Sequence, residues 1–207
     1  MIDELSIQLV SAWHDTSWIE LTAAILAVLY LLLAIRQHVS CWLVSFISSA
    51  LYVFVLFRAH LYMESALNAF YALMAVYGFW QWQHGNQGST LRVVRWPLTR
   101  HVLALAGVVL ASLISSYFLR RFTAAAVPFW DSMVTWSSTF ATFLVARKVF
   151  ENWHWWLLID TLSIYLYYTR HLYITMLLFA LYVLLIFVGM REWRRSLPTL
   201  GGAIEQH

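Results

Sequence analysis

The sequence predicts an all-α polytopic membrane protein: seven transmembrane helices, arranged as two parallel three-helix repeats joined by a linker helix (3+1+3). Only 11% of the 207 residues are Asp, Glu, Lys or Arg, less than half of the roughly 25% usual in soluble domains. Apolar runs recur at about the length needed to cross a bilayer core of roughly 30 Å. The two halves also match each other at a fixed offset. No separate soluble domain is expected.

The predicted spans have bounds that are accurate to within a few residues. Pro128 opens the fifth span, where a missing backbone N–H is harmless. The acidic start of the chain lacks a signal-peptide pattern, so we expect residues 1–17 to form an extracytoplasmic segment with a short interfacial helix. The spans are expected at 18–35, 41–57, 63–82, 101–119, 129–146, 153–169 and 172–190.

Cationic residues divide unequally between the two sides of the membrane that these spans define. The richer side predicts the cytoplasm, because cytoplasmic loops are enriched in Lys and Arg. We therefore expect a bacterial inner-membrane protein with its N-terminus outside and its C-terminus, including a tail at 194–207, in the cytoplasm. The richer side carries Arg36, Arg92, Arg95, Arg100, Arg147, Lys148, Arg191, Arg194 and Arg195, and the other side carries Arg58, Arg120, Arg121 and Arg170.

A shift of 111 positions without a gap aligns residues 18–82 with residues 129–193. Thirteen of these 65 positions are identical. The matches include Arg, His, Gly, Tyr and Trp, which a shared richness in Leu does not explain. Each copy has three spans, so residues 83–128, a cytoplasmic loop and a fourth helix, are needed to make the copies parallel. A parallel repeat predicts a binding site between the copies near the middle of the membrane.

The sixth span carries a polar and aromatic stripe. Trp153, Trp156, Asp160 and Ser163 recur at helical spacing, which places them on one face. A carboxylate deep in a span costs about 2.5–3.5 kcal/mol on insertion scales, and no Lys or Arg lies deep in any span to pair with it. Tryptophan rings beside a carboxylate suit a flat cation, since ring faces attract positive charge.

Structural explanations exist for the same residues. Trp153 is equally well explained as part of the aromatic belt at the membrane surface, and Trp155 lies off the stripe, so we assign it to that belt. Asp160 is also compatible with a hydrogen bond between helices. The equivalents of Trp156 and Asp160 in the first copy are Ser45 and Ser49, which makes the two halves chemically asymmetric.

Two further spans supply weaker candidates for substrate contacts. Asn68 lies in the third span, and Ser132 and Trp136 share a face of the fifth. A buried amide such as Asn68 is equally typical of hydrogen bonding between helices.

The sequence does not favour an enzyme, a metal site or a bound cofactor. The single cysteine and the scattered histidines show no metal-ligand spacing, and the glycines in 85–88 follow a helix, unlike those of a phosphate loop. The net charge of +3 is explained by loop arginines, so no nucleic-acid partner is expected. A membrane enzyme would need paired acid–base or metal groups near one membrane surface, and the sequence shows no such pair, while an inert scaffold would leave the repeat and the buried stripe unexplained.

Three stretches, VYGFWQWQHG at the end of the third span, PFWD at the start of the fifth and ARKVFENWHWWLLIDTLSIYLY into the sixth, together resemble the PnuC family of bacterial vitamin transporters. The family's pattern Trp-x-x-Trp-x-x-x-Asn/Asp is filled here by Trp153, Trp156 and Asp160. The resemblance implies a SWEET-like fold, substrate binding by these residues, and uptake of nicotinamide riboside by facilitated diffusion with trapping by a separate cytoplasmic kinase. Thiamine, and less readily riboflavin, are alternative substrates, and a homo-oligomer is compatible with the aromatic outer faces.

Overall fold

The computed structural model describes residues 18–58, 62–85, 90–122, 128–169 and 173–197. Within them the chain is almost wholly helical, which confirms the predicted all-α class. The seven helices are α1 Trp18–Ile35, α2 Cys41–Arg58, α3 Tyr62–His84, α4 Leu98–Phe122, α5 Pro128–Ala146, α6 Asn152–Thr169 and α7 Tyr173–Arg195.

Most predicted bounds lie within three residues of these helices. The exception is the last helix, which continues to Arg195, so the predicted tail begins inside it. The segment 1–17, Arg170, most of the tail and the first two residues of each repeated His-Leu-Tyr lie outside the described residues.

Three of the described helices are both long enough and apolar enough to cross a membrane on length and composition alone: Cys41–Arg58, Leu98–Arg121 and Thr175–Arg195. The fifth helix is less apolar because it buries several hydroxyl side chains, among them Ser137, Ser138 and Thr142. Large apolar side chains such as Leu103 and Leu184 are exposed on the outside. The polar groups therefore face the interior of the bundle, and the outer surface suits lipid.

Connections between helices meet at one end of the bundle, which we call the C-terminal face: the described residues 36–40, 85, 90–97, 147–151 and 192–197. Gln37 Nε2 donates to Ser196 Oγ at 2.9 Å. Val94 forms a parallel bridge with Val149, in which the Val94 N–H donates to the Lys148 carbonyl at 3.0 Å. Helices that end here alternate with helices that begin here, as an odd number of crossings requires.

Packing contacts recur at the offset of 111 positions. The Trp42 and Trp82 rings meet edge to face at 5.5 Å and 88°, and the equivalent Trp153 and Trp193 rings meet at 5.4 Å and 89°. A methyl group added at Gly78 would overlap the Trp42 ring, and one added at the equivalent Gly189 would overlap the Trp153 ring. Glycine is thus needed at both positions for a tryptophan to lie against the helix.

Hydrogen bonds between the copies are paired in the same way. Trp82 Nε1 donates to the Val145 carbonyl at 3.1 Å, and Trp193 Nε1 donates to the Ala34 carbonyl at 3.0 Å. Both members of the second bond are the 111-offset equivalents of those in the first. This is the relation that a parallel repeat predicts, while the division at 18–82 and 129–193 stays a prediction.

The fourth helix packs along the outside of α5 and the start of α6. Trp136 Nε1 donates to Ser115 Oγ at 2.9 Å, and Trp155 Nε1 donates to His101 Nδ1 at 3.2 Å. Glu151 accepts from the Trp96 N–H at 3.1 Å and lies 3.8 Å from His101 Nε2. These contacts attach α4 to the second copy.

Candidate functional site

A cavity of about 560 Å³ lies between the two copies. That volume falls within the range of about 300–1,000 Å³ typical of small-molecule sites. The described residues that line it come from every helix except α4.

The cavity is built from equivalent positions of the two copies. Ten pairs of lining residues are 111 positions apart, so the cavity follows the axis that relates the copies. The pairs are Ala27/Ser138, Leu31/Thr142, Ala34/Val145, Ser45/Trp156, Ser48/Ile159, Ser49/Asp160, Tyr52/Ser163, Leu56/Tyr167, Asn68/Phe179 and Tyr71/Tyr182.

Asp160 is the acidic group in the described cavity wall. Its side chain is 4% exposed, and it lies near Tyr182. Among the described residues, no hydrogen bond or ion pair to its carboxylate is found. Burying a charge without a partner is costly, so the carboxylate is placed to interact with whatever enters the cavity.

The two motif tryptophans occupy different environments, although their spacing treats them alike. Trp156 is partly exposed and lines the cavity one turn from Asp160. Trp153 is only 2% exposed, and Gly189 and Trp193 cover its ring. Trp156 is therefore the more accessible of the two rings in the cavity wall, whereas Trp153 is a buried part of that wall.

The remaining candidates from the sequence separate into two groups. Asn68 and Ser163 line the cavity together with the motif residues. Ser132 and Trp136 do not line it. The Ser132 side chain is buried elsewhere, and Trp136 is 40% exposed and turned towards α4.

The assignment of Trp155 to an interfacial belt was wrong. Its side chain is 8% exposed, it packs edge to face on Phe140 at 4.9 Å, and its indole N–H donates to His101. The residue points away from the cavity because it fastens α6 to α4 and α5.

Several lining residues escaped the sequence analysis. Ser138 and Thr142 of α5 face the cavity, with Tyr71 hydrogen-bonded to Ser138. By the offset of 111 positions, Ser138 and Thr142 are equivalent to Ala27 and Leu31, which line the same cavity. The fifth helix carries hydroxyls on most sides, so helical spacing alone did not select the correct face.

Comparison with known proteins identifies the family. The family model of the nicotinamide mononucleotide transporter matches residues 17–195. The chain belongs to this family. The nicotinamide riboside transporter PnuC of Escherichia coli K12 is 25% identical over 220 residues, which cover 94% of this chain and 92% of that protein. The riboflavin/roseoflavin transporter RibM of Streptomyces davaonensis is 26% identical over 197 residues, 90% of this chain and 91% of RibM.

A solved structure shows the same fold. The crystal structure of the vitamin B3 transporter PnuC matches with a TM-score of 0.71 and 22% identity, covering 93% of this chain and 87% of that one. The resemblance to PnuC is thus confirmed, and the chain is a multi-pass membrane transporter of a vitamin-uptake family.

Proposed function

We propose that this transporter takes up nicotinamide riboside by facilitated diffusion. The observation that carries the proposal is Asp160, a carboxylate in the cavity wall beside Trp156 with no cationic partner among the described residues. Nicotinamide riboside is a flat pyridinium cation with a hydroxyl-bearing sugar. Its charge complements the carboxylate, its ring suits the face of Trp156, and its hydroxyls suit the amide and hydroxyl side chains of the wall.

The relatives bear on the choice among vitamins. PnuC of E. coli is named for nicotinamide riboside and RibM for riboflavin, and their similarity to this chain is nearly equal. Riboflavin has a neutral, larger ring system that makes little use of a carboxylate. Thiamine is also a flat cation and is the stronger alternative.

The transport cycle that we propose is passive. The two copies rock around the cavity and expose it to each side of the membrane in turn, with the C-terminal face in the cytoplasm of a bacterial inner membrane. A separate cytoplasmic kinase phosphorylates the vitamin and prevents its return. Assembly into a homo-oligomer is compatible with the apolar outer surface.

Uptake of labelled vitamins by cells that lack their own importers tests the substrate assignment. We expect the wild-type protein to take up nicotinamide riboside in preference to thiamine and riboflavin. Asp160→Asn should lower nicotinamide riboside uptake about 10- to 100-fold, since a hydrogen bond or contact to a charged group is worth roughly 1.5–3 kcal/mol.

Matched controls separate the cavity from the rest of the protein. Ser132→Ala changes a hydroxyl outside the cavity and should leave uptake near the wild-type rate, whereas Ser163→Ala changes one in its wall and should reduce it. Full uptake by folded Asp160→Asn would refute the role of the carboxylate. Preference for thiamine would retain the site and reassign the vitamin.

A further inference from the structure

Four tryptophans form a row near the C-terminal face, which we call the tryptophan layer: Trp42, Trp82, Trp153 and Trp193. Neighbouring rings meet at 5.5, 6.2 and 5.4 Å between centroids. Trp82 belongs to the first copy and Trp193 to the second, so the central contact crosses from one copy to the other. Trp153 and Trp193 line the cavity, and Trp82 contacts Lys148 of the C-terminal face, so the layer connects the cavity wall to that face.

Two hydrogen bonds hold this layer across the interface between the copies. Trp82 Nε1 donates to the Val145 carbonyl, and Trp193 Nε1 donates to the Ala34 carbonyl. Any motion that separates the copies at this face breaks both bonds. By contrast, Trp42 Nε1 and Trp153 Nε1 have no acceptor among the described residues. Trp82 and Trp193 therefore make the hydrogen bonds that hold the two copies together at this face.

A buried lysine crosses the same interface beneath the layer. Lys148, in the α5–α6 turn, is 7% exposed. Its Nζ lies 4.4 Å from the centroid of the Trp82 ring and 3.4 Å from Gln37 Oε1. Gln37 in turn donates to Ser196, which directly follows α7, at 2.9 Å. One cation thus joins a ring and an amide of the first copy to the turn of the second.

The backbone at these two positions is unusual. Gln37 and Lys148 are equivalent by the offset, and both have positive φ, at 55° and 49°. Helices commonly end in this left-handed conformation, but the residue is usually glycine because a side chain is disfavoured there. Burial also lowers the pKa of Lys148. Both features are unfavourable, and the contacts of Lys148 with Trp82 and Gln37 offset them.

We propose that Lys148, Trp82 and Gln37 form a latch that keeps the transporter closed at the C-terminal face, and that its release opens the tryptophan layer for the vitamin to leave. The inference rests on the proposed transport cycle, but it concerns the gate and not the identity of the vitamin. The cation–ring contact and the amide hydrogen bond are both weak individually. A latch of this strength holds the gate while still permitting it to open during each cycle.

The chain contains its own reporter for this gate. Cys41 is the single cysteine in the sequence, it is fully buried, and it packs in the same cluster as the four tryptophans. Its reaction with N-ethylmaleimide therefore measures opening of the layer in the full-length protein, without any substrate. A nearby cation favours the reactive thiolate form of a cysteine, so removal of Lys148 alone would slow the alkylation of Cys41. A faster alkylation in a Lys148 variant therefore reports greater access of the reagent to Cys41.

We expect slow alkylation of the wild-type protein and a rate at least about fivefold higher in Lys148→Met, which corresponds to the loss of about 1 kcal/mol of closure. Gln37→Ala should also accelerate the reaction without changing the charge near the thiol. Lys148→Arg should restore the slow rate, since arginine keeps a cation over the ring. Arg195→Gln removes an exposed cation from the same face and should leave the rate unchanged.

The thermal melting temperature of each variant establishes that it is folded before its alkylation rate is compared. Wild-type rates in both folded Lys148→Met and folded Gln37→Ala would overturn the latch. If Lys148→Met fails to fold, Gln37→Ala decides alone. Faster alkylation in a protein that does not transport nicotinamide riboside would support the latch and count against the substrate, so the two proposals fail separately.

Discussion

At the scale of single residues, the packing of the helices depends on pairs in which a glycine leaves room for a tryptophan ring. Gly189 lies against Trp153, and Gly78 lies against Trp42. The tryptophans can reach the centre of the bundle only because these helix positions lack a side chain. The same close packing leaves Trp153 only 2% exposed, so we expect stacking on a ligand from the more exposed Trp156.

A methyl group at one of these glycines tests this packing. Gly189→Ala forces the Trp153 ring or its helix to move, and overpacking of this kind costs roughly 1–3 kcal/mol. We expect the thermal melting temperature of the purified protein to fall by several degrees. Gly107→Ala is the control, because a methyl group there meets no atom within 4 Å, and its melting temperature should not fall.

At the scale of the helix, α6 presents different chemistry on two faces. Trp156, Asp160 and Ser163 line the cavity, while the neighbouring Trp155 points to Phe140 and His101. Trp156 thus contributes to the cavity, whereas the adjacent Trp155 contributes to a contact between helices.

Matched substitutions of the adjacent tryptophans should therefore affect different properties: stability for Trp155 and vitamin binding for Trp156. Trp155→Phe keeps an aromatic ring but loses the hydrogen bond to His101, so we expect a loss of about 1 kcal/mol of stability with unchanged vitamin affinity. Trp156→Phe should weaken vitamin binding several-fold with little change in melting temperature. Calorimetric titration and thermal melting measure the two effects, and equal loss of affinity in both variants would contradict this division.

Spacing predicted the α6 stripe because its polar residues lie on one side of the helix. It failed on α5, where it selected Ser132 and Trp136 and not the lining residues Ser138 and Thr142, since hydroxyls occur on most sides of that helix. The position of Trp155 could not be predicted either. It depends on where α4 packs, and the sequence of α6 contains no information about that packing.

At the scale of the whole molecule, the offset of 111 predicted the pairing of the two halves, since equivalent positions of both copies line one cavity. The hydrogen bonds that close the C-terminal face were not predictable, because their acceptors are the backbone carbonyls of Ala34 and Val145. Every residue has a backbone carbonyl, so the residue types in the sequence do not reveal which carbonyl accepts a hydrogen bond. The cavity itself is asymmetric in chemistry, since Asp160 of the second copy is equivalent to Ser49 of the first.

The central claim, passive transport of a flat cation, makes a thermodynamic prediction for the purified protein in vesicles without a kinase. At zero membrane potential, labelled nicotinamide riboside should reach equal concentrations inside and outside. A potential of about 100 mV, negative inside, contributes roughly 2.3 kcal/mol per charge. A singly charged substrate carried alone should then accumulate up to about 50-fold.

Measurement of that accumulation ratio against an imposed potassium diffusion potential is the most direct test. We expect a ratio of one without a potential and a steep rise with inside-negative potential, with the rate strongly reduced in Asp160→Asn. A ratio that stays at one at every potential, despite rapid uptake, would contradict transport of the vitamin as an uncoupled cation.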